Sequence, residues 1–245
     1  MATEAAWPRQ NSDGRLRESK LGLFDYMLKS FDPKGTHDIV FVPVALNYDR
    51  VLEDRTLLRS LDREARRRGA LFATRTALAF WAGQLGLMLR GRWFRFGYAC
   101  VNFGGLISAR DWLAVNAGPV GGDLRGLDKE QRFEIVGRLA RDVMEEIARL
   151  IPVLPVSLIA TVLLEADRPL DELELKVRAS DLVAHFEKRG AKLYLPRGDR
   201  DYAFHVGLRM LALRHLVEES DGLFVAAATD RPLLAYYSNA IAHLR

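Results

Sequence analysis

The stretch Ile39-Val40-Phe41-Val42-Pro43-Val44-Ala45-Leu46 constrains the fold more than any other in this chain. An uninterrupted run of β-branched, aromatic and aliphatic side chains of this length predicts a buried strand over Ile39–Leu46. It carries a proline near its middle, however, and proline has no N–H to give to a ladder. The chain must therefore bend at Pro43 or place the strand at a sheet edge, a position that suits the border of a site. The run leads straight into Asn47-Tyr48-Asp49-Arg50-Val51.

At 245 residues, with 49% apolar and 28% charged side chains, the chain can bury a sizeable core and is expected to form one globular domain. The formal net charge of +4 is unevenly spread, because arginines crowd the region from Arg50 to Arg95 against few acids. Such an excess suits an anionic partner, and the anionic membrane surface is the one expected here. Nucleic acid is not expected, since the overall charge is modest and no aromatic-basic interleaving accompanies the arginines. Cys100 is the one cysteine, so no internal disulfide can form. Residues 1–10 lack a basic region followed by an apolar run and do not read as a signal peptide. Leu71–Leu89 has membrane length, but Arg75 and Gln84 interrupt it, so an interfacial or buried amphipathic helix is expected.

Residues 1–12 form an unpatterned lead-in, and residues 13–245 are read as the domain. Spacing predicts a helix over Lys20–Ser30 and a long helical region from about Glu53 to Arg90. A strand is expected over Phe94–Phe103, then a Gly-rich loop over Asn116–Gly126. A helix opening at Asp128-Lys129-Glu130 has Phe133, Ile135, Val136, Leu139, Val143, Ile147 and Leu150 at core spacing. Ile151-Pro152-Val153-Leu154-Pro155 joins it to an apolar helix, Val156–Leu164. Further helices are predicted over Leu170–Lys188, Tyr202–Glu219 and Pro232–His243, with extended pieces at Lys192–Leu195 and Leu223–Ala227.

Five segments lie in an order that carries a resemblance. Asp13-Gly14-Arg15-Leu16 precedes Val42-Pro43-Val44 with Tyr48 and Val51; Val101-Asn102-Phe103-Gly104 follows, with Ser108 and Asp111-Trp112-Leu113 behind it. Pro152-Val153-Leu154-Pro155-Val156-Ser157-Leu158 comes next, and Tyr236-Tyr237-Ser238-Asn239-Ala240-Ile241-Ala242-His243-Leu244 closes the series. Together they resemble the bacterial glycerol-3-phosphate acyltransferases, in the part that follows that family's phosphate-binding block. The resemblance implies an α/β fold, a mixed sheet packed by helices with the N-terminal catalytic part of the domain absent and a helical distal portion.

It further implies transfer of a fatty acyl group from acyl-CoA or acyl-carrier protein to sn-glycerol 3-phosphate, with no cofactor beyond the acyl donor. Val42, Pro43, Val44 and Tyr48 would shape the acceptor or acyl pocket, Arg15 and Arg17 are candidate phosphate contacts, and the protein would sit peripherally on the cytoplasmic face of the inner membrane in phospholipid synthesis. The departure from the family lies upstream. Its Glu-Gly-Gly-x-Ser-Arg block is not found among Trp7–Ser12, and no histidine here, neither His37, His185, His205, His215 nor His243, has an aspartate five residues on.

No catalytic residue can thus be assigned; Asp201 and His205, one helical turn apart, read as a surface pair. One cysteine and scattered histidines argue against a metal site. The expectation is a catalytically incomplete acyltransferase fragment; the alternative is a non-catalytic, membrane-associated accessory module, or one half of a split enzyme completed by an upstream acyltransferase polypeptide.

Overall fold

A computed structural model describes residues 13–51, 54, 55, 58, 97–118 and 122–245. The lead-in, most of the Arg-rich helical region, the Leu71–Leu89 stretch, the start of the Phe94–Phe103 strand and part of the Gly-rich loop lie outside these residues. Among the described residues, helices and strands are mixed, consistent with an α/β domain, and the strands form small antiparallel sheets.

Pro43 bends its strand. In place of a single buried strand over Ile39–Leu46 there are β1 (Val40–Phe41) and β2 (Val44–Tyr48). They face β4 (Ile107–Ser108) and β3 (Ala99–Phe103) respectively, in the registers Phe41↔Ile107 and Val44↔Phe103. Between those pairs Val42 and Pro43 stand opposite Gly104, Gly105 and Leu106, one residue more, which is the geometry of a bulge. The two short sheets are one bent antiparallel ribbon, and at the bend the Gly104 N–H donates to the Pro43 carbonyl at 2.8 Å. Proline sits where no N–H is demanded of it. The expectation of full burial fails for the same reason: an antiparallel ribbon covered on one face alternates, and Val40 and Val42 are about half exposed while Ala45 and Asn47 are buried.

The inner side of the ribbon belongs to a first core. α1 (Leu21–Lys29) contributes Phe24 and Leu28; α2 (Ala109–Asn116) contributes Leu113; and α3 (Lys129–Leu150) contributes the stripe Ile135, Val136, Leu139, Val143, Ile147 and Leu150. α2 was not expected from the sequence. It begins where Ser108 accepts the Asp111 N–H, an N-cap, and its alternation of polar and apolar residues is too short to stand out. A partly buried ion pair, Arg132 with Asp25, ties α3 to α1, and Arg132 also donates to the Leu127 carbonyl at 3.2 Å.

The second core is built around α4 (Pro155–Glu165), in which every residue from Pro155 to Leu163 is buried. α5 (Glu172–Lys188), α6 (Arg200–Leu213) and α7 (Arg231–Asn239) surround it. A three-stranded antiparallel sheet, in the order β5 (Leu170–Asp171), β7 (Leu223–Ala226), β6 (Val217–Ser220), adds Leu170, Phe224 and Ala226. Two helices are shorter than expected. Leu170–Asp171 is strand, with Asp171 capping α5, and the helix expected to reach Glu219 stops at Leu213, after which His215, with φ 57°, turns the chain into β6. The final helix ends at Asn239 and passes into a 3-10 turn, Ala242–Leu244. Lys192–Leu195 is extended as expected and makes a parallel bridge, Leu193 to Val153.

Candidate functional site

The polar residues at the end of β2 meet the turn between α3 and α4. Asn47 is buried, and its Nδ2 donates to the Pro152 carbonyl at 2.8 Å while its Oδ1 accepts the Tyr48 N–H at 2.8 Å. On the facing strand, Asn102 Nδ2 donates to the Leu150 carbonyl at 2.7 Å. The last carbonyls of α3 and the prolyl carbonyl after it have no helical partner, and the two asparagines supply one to each.

Asp49 completes the joint from the other side. The residue before α4, Leu154, has no capping side chain, and the Val156 N–H donates instead to Asp49 Oδ1 at 3.0 Å. The second carboxylate oxygen accepts the Tyr98 N–H at 3.0 Å. Asp49 is therefore an N-cap delivered from a distant strand, and the positive end of the helix favours its charge. Burial works the other way and wins, pushing its pKa up to about 6 against both N–H donors. Burial, with the Asp49 charge second, also holds the nearby Cys100 thiol above its ordinary value.

One step further along the chain, Asp54 is buried against Tyr237 and Arg214. The Tyr237 hydroxyl donates to Asp54, accepts from Arg214 Nη1 at 2.7 Å, and accepts the Val51 N–H at 3.2 Å. Burial raises the Tyr237 pKa, with the Asp54 charge acting in the same direction. For Arg214, burial pulls the pKa down, and Tyr237 and Asp54 together outweigh it. Arg50 lies in the same field, lowered first by burial and then by the like charge of Arg214.

The last segment of the chain reaches three further places. Asn239 Nδ2 donates to the Asp13 carbonyl at 2.8 Å. Gly14, with φ +82°, lies so close to the Tyr236 carbonyl that a Cβ there would collide with it. Ile241 is fully buried, and His243 Nε2 is 2.9 Å from the Ala148 carbonyl; burial lowers the His243 pKa, partly offset by that carbonyl. A neutral ring donating from Nε2 fits this arrangement.

The residues singled out from the sequence divide into three groups. Val44 and Tyr48 lie on the outer face of the ribbon, in register with Phe103 and Ala99. Val42 is exposed in the bulge and Pro43 is buried beside Gly104. Arg15 and Arg17 are in the Asp13 loop, where Arg17 pairs with Asp13 at 3.3 Å and the Arg15 N–H donates to the same carboxylate. Neither arginine shares a hydrogen bond or ion pair with the ribbon. Asp201 and His205 are one turn apart on α6 and form no ion pair. Among the described residues, no group of three His, Cys, Asp or Glu side chains could hold a metal ion.

Chemically, the joint is a set of matched donors and acceptors with no nucleophile paired to a base. What it does is fix the end of β2, the start of α4 and the final segment with respect to one another. Asp49, Asp54 and Arg214 were not singled out in the sequence. The signal for Asp49 was its place directly after an apolar strand, where a carboxylate is available for a helix that lacks its own cap. Asp54 and Arg214 are separated by 160 residues and left no local pattern.

Residues 84–245 match the family model described as the glycerol-3-phosphate acyltransferase C-terminal region. The chain is 28% identical over 249 aligned positions to a glycerol-3-phosphate acyltransferase of Pseudomonas fluorescens strain SBW25, covering 94% of this chain and 27% of that protein. It is 30% identical over 244 positions to the glycerol-3-phosphate acyltransferase of Pseudomonas putida strain W619, with the same coverage. For that of Pseudomonas aeruginosa strain LESB58 the figure is 28% over 246 positions. The chain spans about a quarter of the length of these curated relatives.

Proposed function

The chain belongs to the family defined by the glycerol-3-phosphate acyltransferase C-terminal region, and from that premise we propose that it is the distal portion of a glycerol-3-phosphate acyltransferase without its catalytic base. The reaction it serves is transfer of an acyl group from acyl-CoA or acyl-carrier protein to the primary hydroxyl of sn-glycerol 3-phosphate, in phospholipid biosynthesis. It needs no cofactor besides the acyl donor. The observation that carries the reading is the convergence of the family-like segments on one joint. Asn47 and Asp49 after Val42-Pro43-Val44, Asn102 of Val-Asn-Phe-Gly, and the Pro152–Val156 run all meet there through hydrogen bonds of 2.7–3.0 Å. Tyr237 reaches the adjoining residue Val51.

A general base for this reaction must lie within hydrogen-bond reach of the acceptor hydroxyl and be oriented by a carboxylate. No histidine of this sequence has the aspartate spacing for that role. The contribution of this chain is instead the wall formed by Val42, Pro43, Val44 and Tyr48 on the acceptor or acyl side, with Arg15 and Arg17 as candidate contacts for the acceptor phosphate. Attachment is peripheral, to the cytoplasmic face of the inner membrane. Among the described residues no helix is long and apolar enough to cross a membrane.

The test is an acyl-transfer assay on the purified chain with palmitoyl-CoA or palmitoyl-acyl-carrier protein and glycerol 3-phosphate. Turnover at the level of the buffer control is expected. Turnover well above it, abolished by substitution of one histidine, would show that the chain holds its own base.

A further inference from the structure

Three tyrosines from distant parts of the chain gather at the surface beside the joint. Tyr98 directly precedes β3, Tyr194 lies in the extended piece Lys192–Leu195, and Tyr202 is in the first turn of α6. Each is held by its main chain. The Tyr98 N–H donates to Asp49 Oδ2 at 3.0 Å, the Tyr194 N–H to the Val153 carbonyl at 3.0 Å, and the Tyr202 N–H to Asp199 Oδ1 at 3.1 Å. The Tyr98 and Tyr194 rings are 5.1 Å apart between centroids and tilted by 55°. Burial, and then a hydrogen bond with Tyr202, raise the pKa of the Tyr98 hydroxyl. None of the three is buried, and Tyr194 is 36% exposed. Aromatic rings left at the surface on an anchored backbone offer a π-face to a ligand.

Cations stand at the edge of this cluster. Arg197 stacks on Tyr202, its guanidinium carbon 4.2 Å from the ring centroid, and it does so from a left-handed backbone with φ 61° and ψ 8°. Glycine adopts that conformation freely and arginine does not, and strained positions of this kind gather at ligand sites. Stacking occupies the face of the guanidinium and leaves its N–H edge for an acceptor. Lys192, two residues before Tyr194 in the extended piece, is exposed on the same side of the chain. Neither cation forms an ion pair among the described residues. The other charges nearby are engaged: Asp199 caps α6, Arg200 pairs with Glu187 at 2.8 Å, and Asp201 acts on Lys176. Aromatic faces beside two uncommitted cations match a flat base that carries phosphate.

We propose that this cluster binds a phosphorylated adenine nucleotide, its base against Tyr194 and Tyr98 and its phosphates on Arg197 and Lys192. The source of the nucleotide rests on the functional reading above: of the two acyl donors, acyl-CoA carries an adenine nucleotide and acyl-carrier protein does not. The cluster thus selects acyl-CoA as the donor this chain recognises. A nucleic-acid strand fits less well, because two cations match the phosphates of one nucleotide and not a track along a backbone. Tyr98 hangs on Asp49 and Tyr194 on Val153, so the contacts that order the family-like segments also place the two rings.

The test is calorimetric titration of the full chain with CoA, 3′-phosphoadenosine 5′-phosphate, ATP and 4′-phosphopantetheine. CoA and 3′-phosphoadenosine 5′-phosphate are expected to bind, and 4′-phosphopantetheine, which lacks the base, to bind at least about tenfold more weakly. Tyr194→Ala should weaken CoA binding about fivefold or more. Arg197→Gly should weaken it too, with an unfolding midpoint no lower than that of the wild type, because glycine suits φ 61°. Tyr26→Ala, at an exposed tyrosine on α1, should leave the affinity unchanged. No binding of CoA at millimolar concentration, an affinity indifferent to both cluster variants, or 4′-phosphopantetheine binding as tightly as CoA overturns the proposal. So does a dodecamer of thymidylate that displaces CoA and loses its hold with the same variants, which would make the occupant a nucleic acid. ATP binding more tightly than CoA keeps the nucleotide site and overturns acyl-CoA as its source. The functional reading is decided separately, by turnover: a chain that transfers acyl groups unaided and binds CoA through Tyr194 breaks that reading and keeps this one.

Discussion

α3 and α4 follow one another across a single turn and are buried in opposite ways. α3 presents one stripe to a core and keeps Glu134, Arg138, Arg141 and Glu145 in solvent. α4 is buried on every side from Pro155 to Leu163. The difference extends to the regions they organise. The second core closes around its central helix with three helices and a three-stranded sheet. Among the described residues, the first has helices on one side of a two-stranded ribbon, and on the other side Val101 and Phe103 are exposed. A wholly apolar helix demands neighbours all round, and in this chain it has them. The ribbon has half of its own. Among the described residues, the second region is packed on all sides of its central helix, whereas the ribbon of the first is packed on one face.

The sharpest way to break this contrast is at the centre of the second core. Ile159→Ala removes a fully buried side chain from a region with no room to collapse, and should cost about 3–5 kcal/mol in chemical denaturation. A cost below about 1 kcal/mol would mean that the second core is no tighter than the first.

Asp49 tests the joint between the regions. Its carboxyl is raised to about 6 in the fold, against about 3.9 in an unfolded chain, so between those values the folded state holds a proton that the unfolded state has released. Stability contributed by this group is therefore full below about pH 4 and falls as pH rises to about 6, by roughly 2–3 kcal/mol. Asp13, Asp38 and Asp123 have lowered pKa values and act in the opposite sense. The measurement is accordingly the stability of wild type relative to Asp49→Asn at pH 4 and pH 6.5. The difference should shift toward the variant on going to the higher pH, and a pH-independent difference would refute the raised pKa.

Tyr237→Phe should cost about 1–2 kcal/mol, because it strips a buried carboxylate of a donor and leaves the Val51 N–H without its acceptor. Reversing the direction of the probe, Val101→Thr on the outer face of the ribbon should change stability by no more than about 0.5 kcal/mol. A larger loss there would show that the face is already covered within the chain.

How much of this was legible from the sequence follows the same division. The stripe of α3 and the run of α4 are local patterns, and both helices stand within a residue or two of where spacing predicts them. Pro43 announced the bend, because a missing donor is a property of one residue. The pairing partner was not legible: an apolar run of this length fits a buried parallel strand or an exposed antiparallel one, and what covers its faces decides between them. β6 was read as helix because Val217-Glu218-Glu219 suits a solvated helix face as well as an edge strand. A signal was present in Asp221-Gly222, with φ 53° and 74°, the two left-handed residues of a tight hairpin turn. For the candidate site, the motif segments were recognisable but their roles were not. The resemblance pointed to pocket and phosphate residues, and the contacts that draw the segments together run through Asn47, Asp49, Asn102 and Tyr237.

The last segment, from Tyr237 to His243, fastens residues that are very far apart along the chain: 226 residues separate Asn239 from Asp13, 186 separate Tyr237 from Val51, and 95 separate His243 from Ala148. Closing such loops adds only about 0.6 kcal/mol for each doubling of length, so equilibrium stability hardly registers the distance. Timing does. Contacts of high sequence separation slow the search for the native state, and on a ribosome the partners of Asp13, Val51 and Asp54 are synthesised long after those residues. The ribbon and α3 emerge early, apolar face included, and wait for the rest of the chain before the final contacts can form. Keeping that early surface from aggregating until residue 237 appears is a kinetic burden that this fold carries each time it is made.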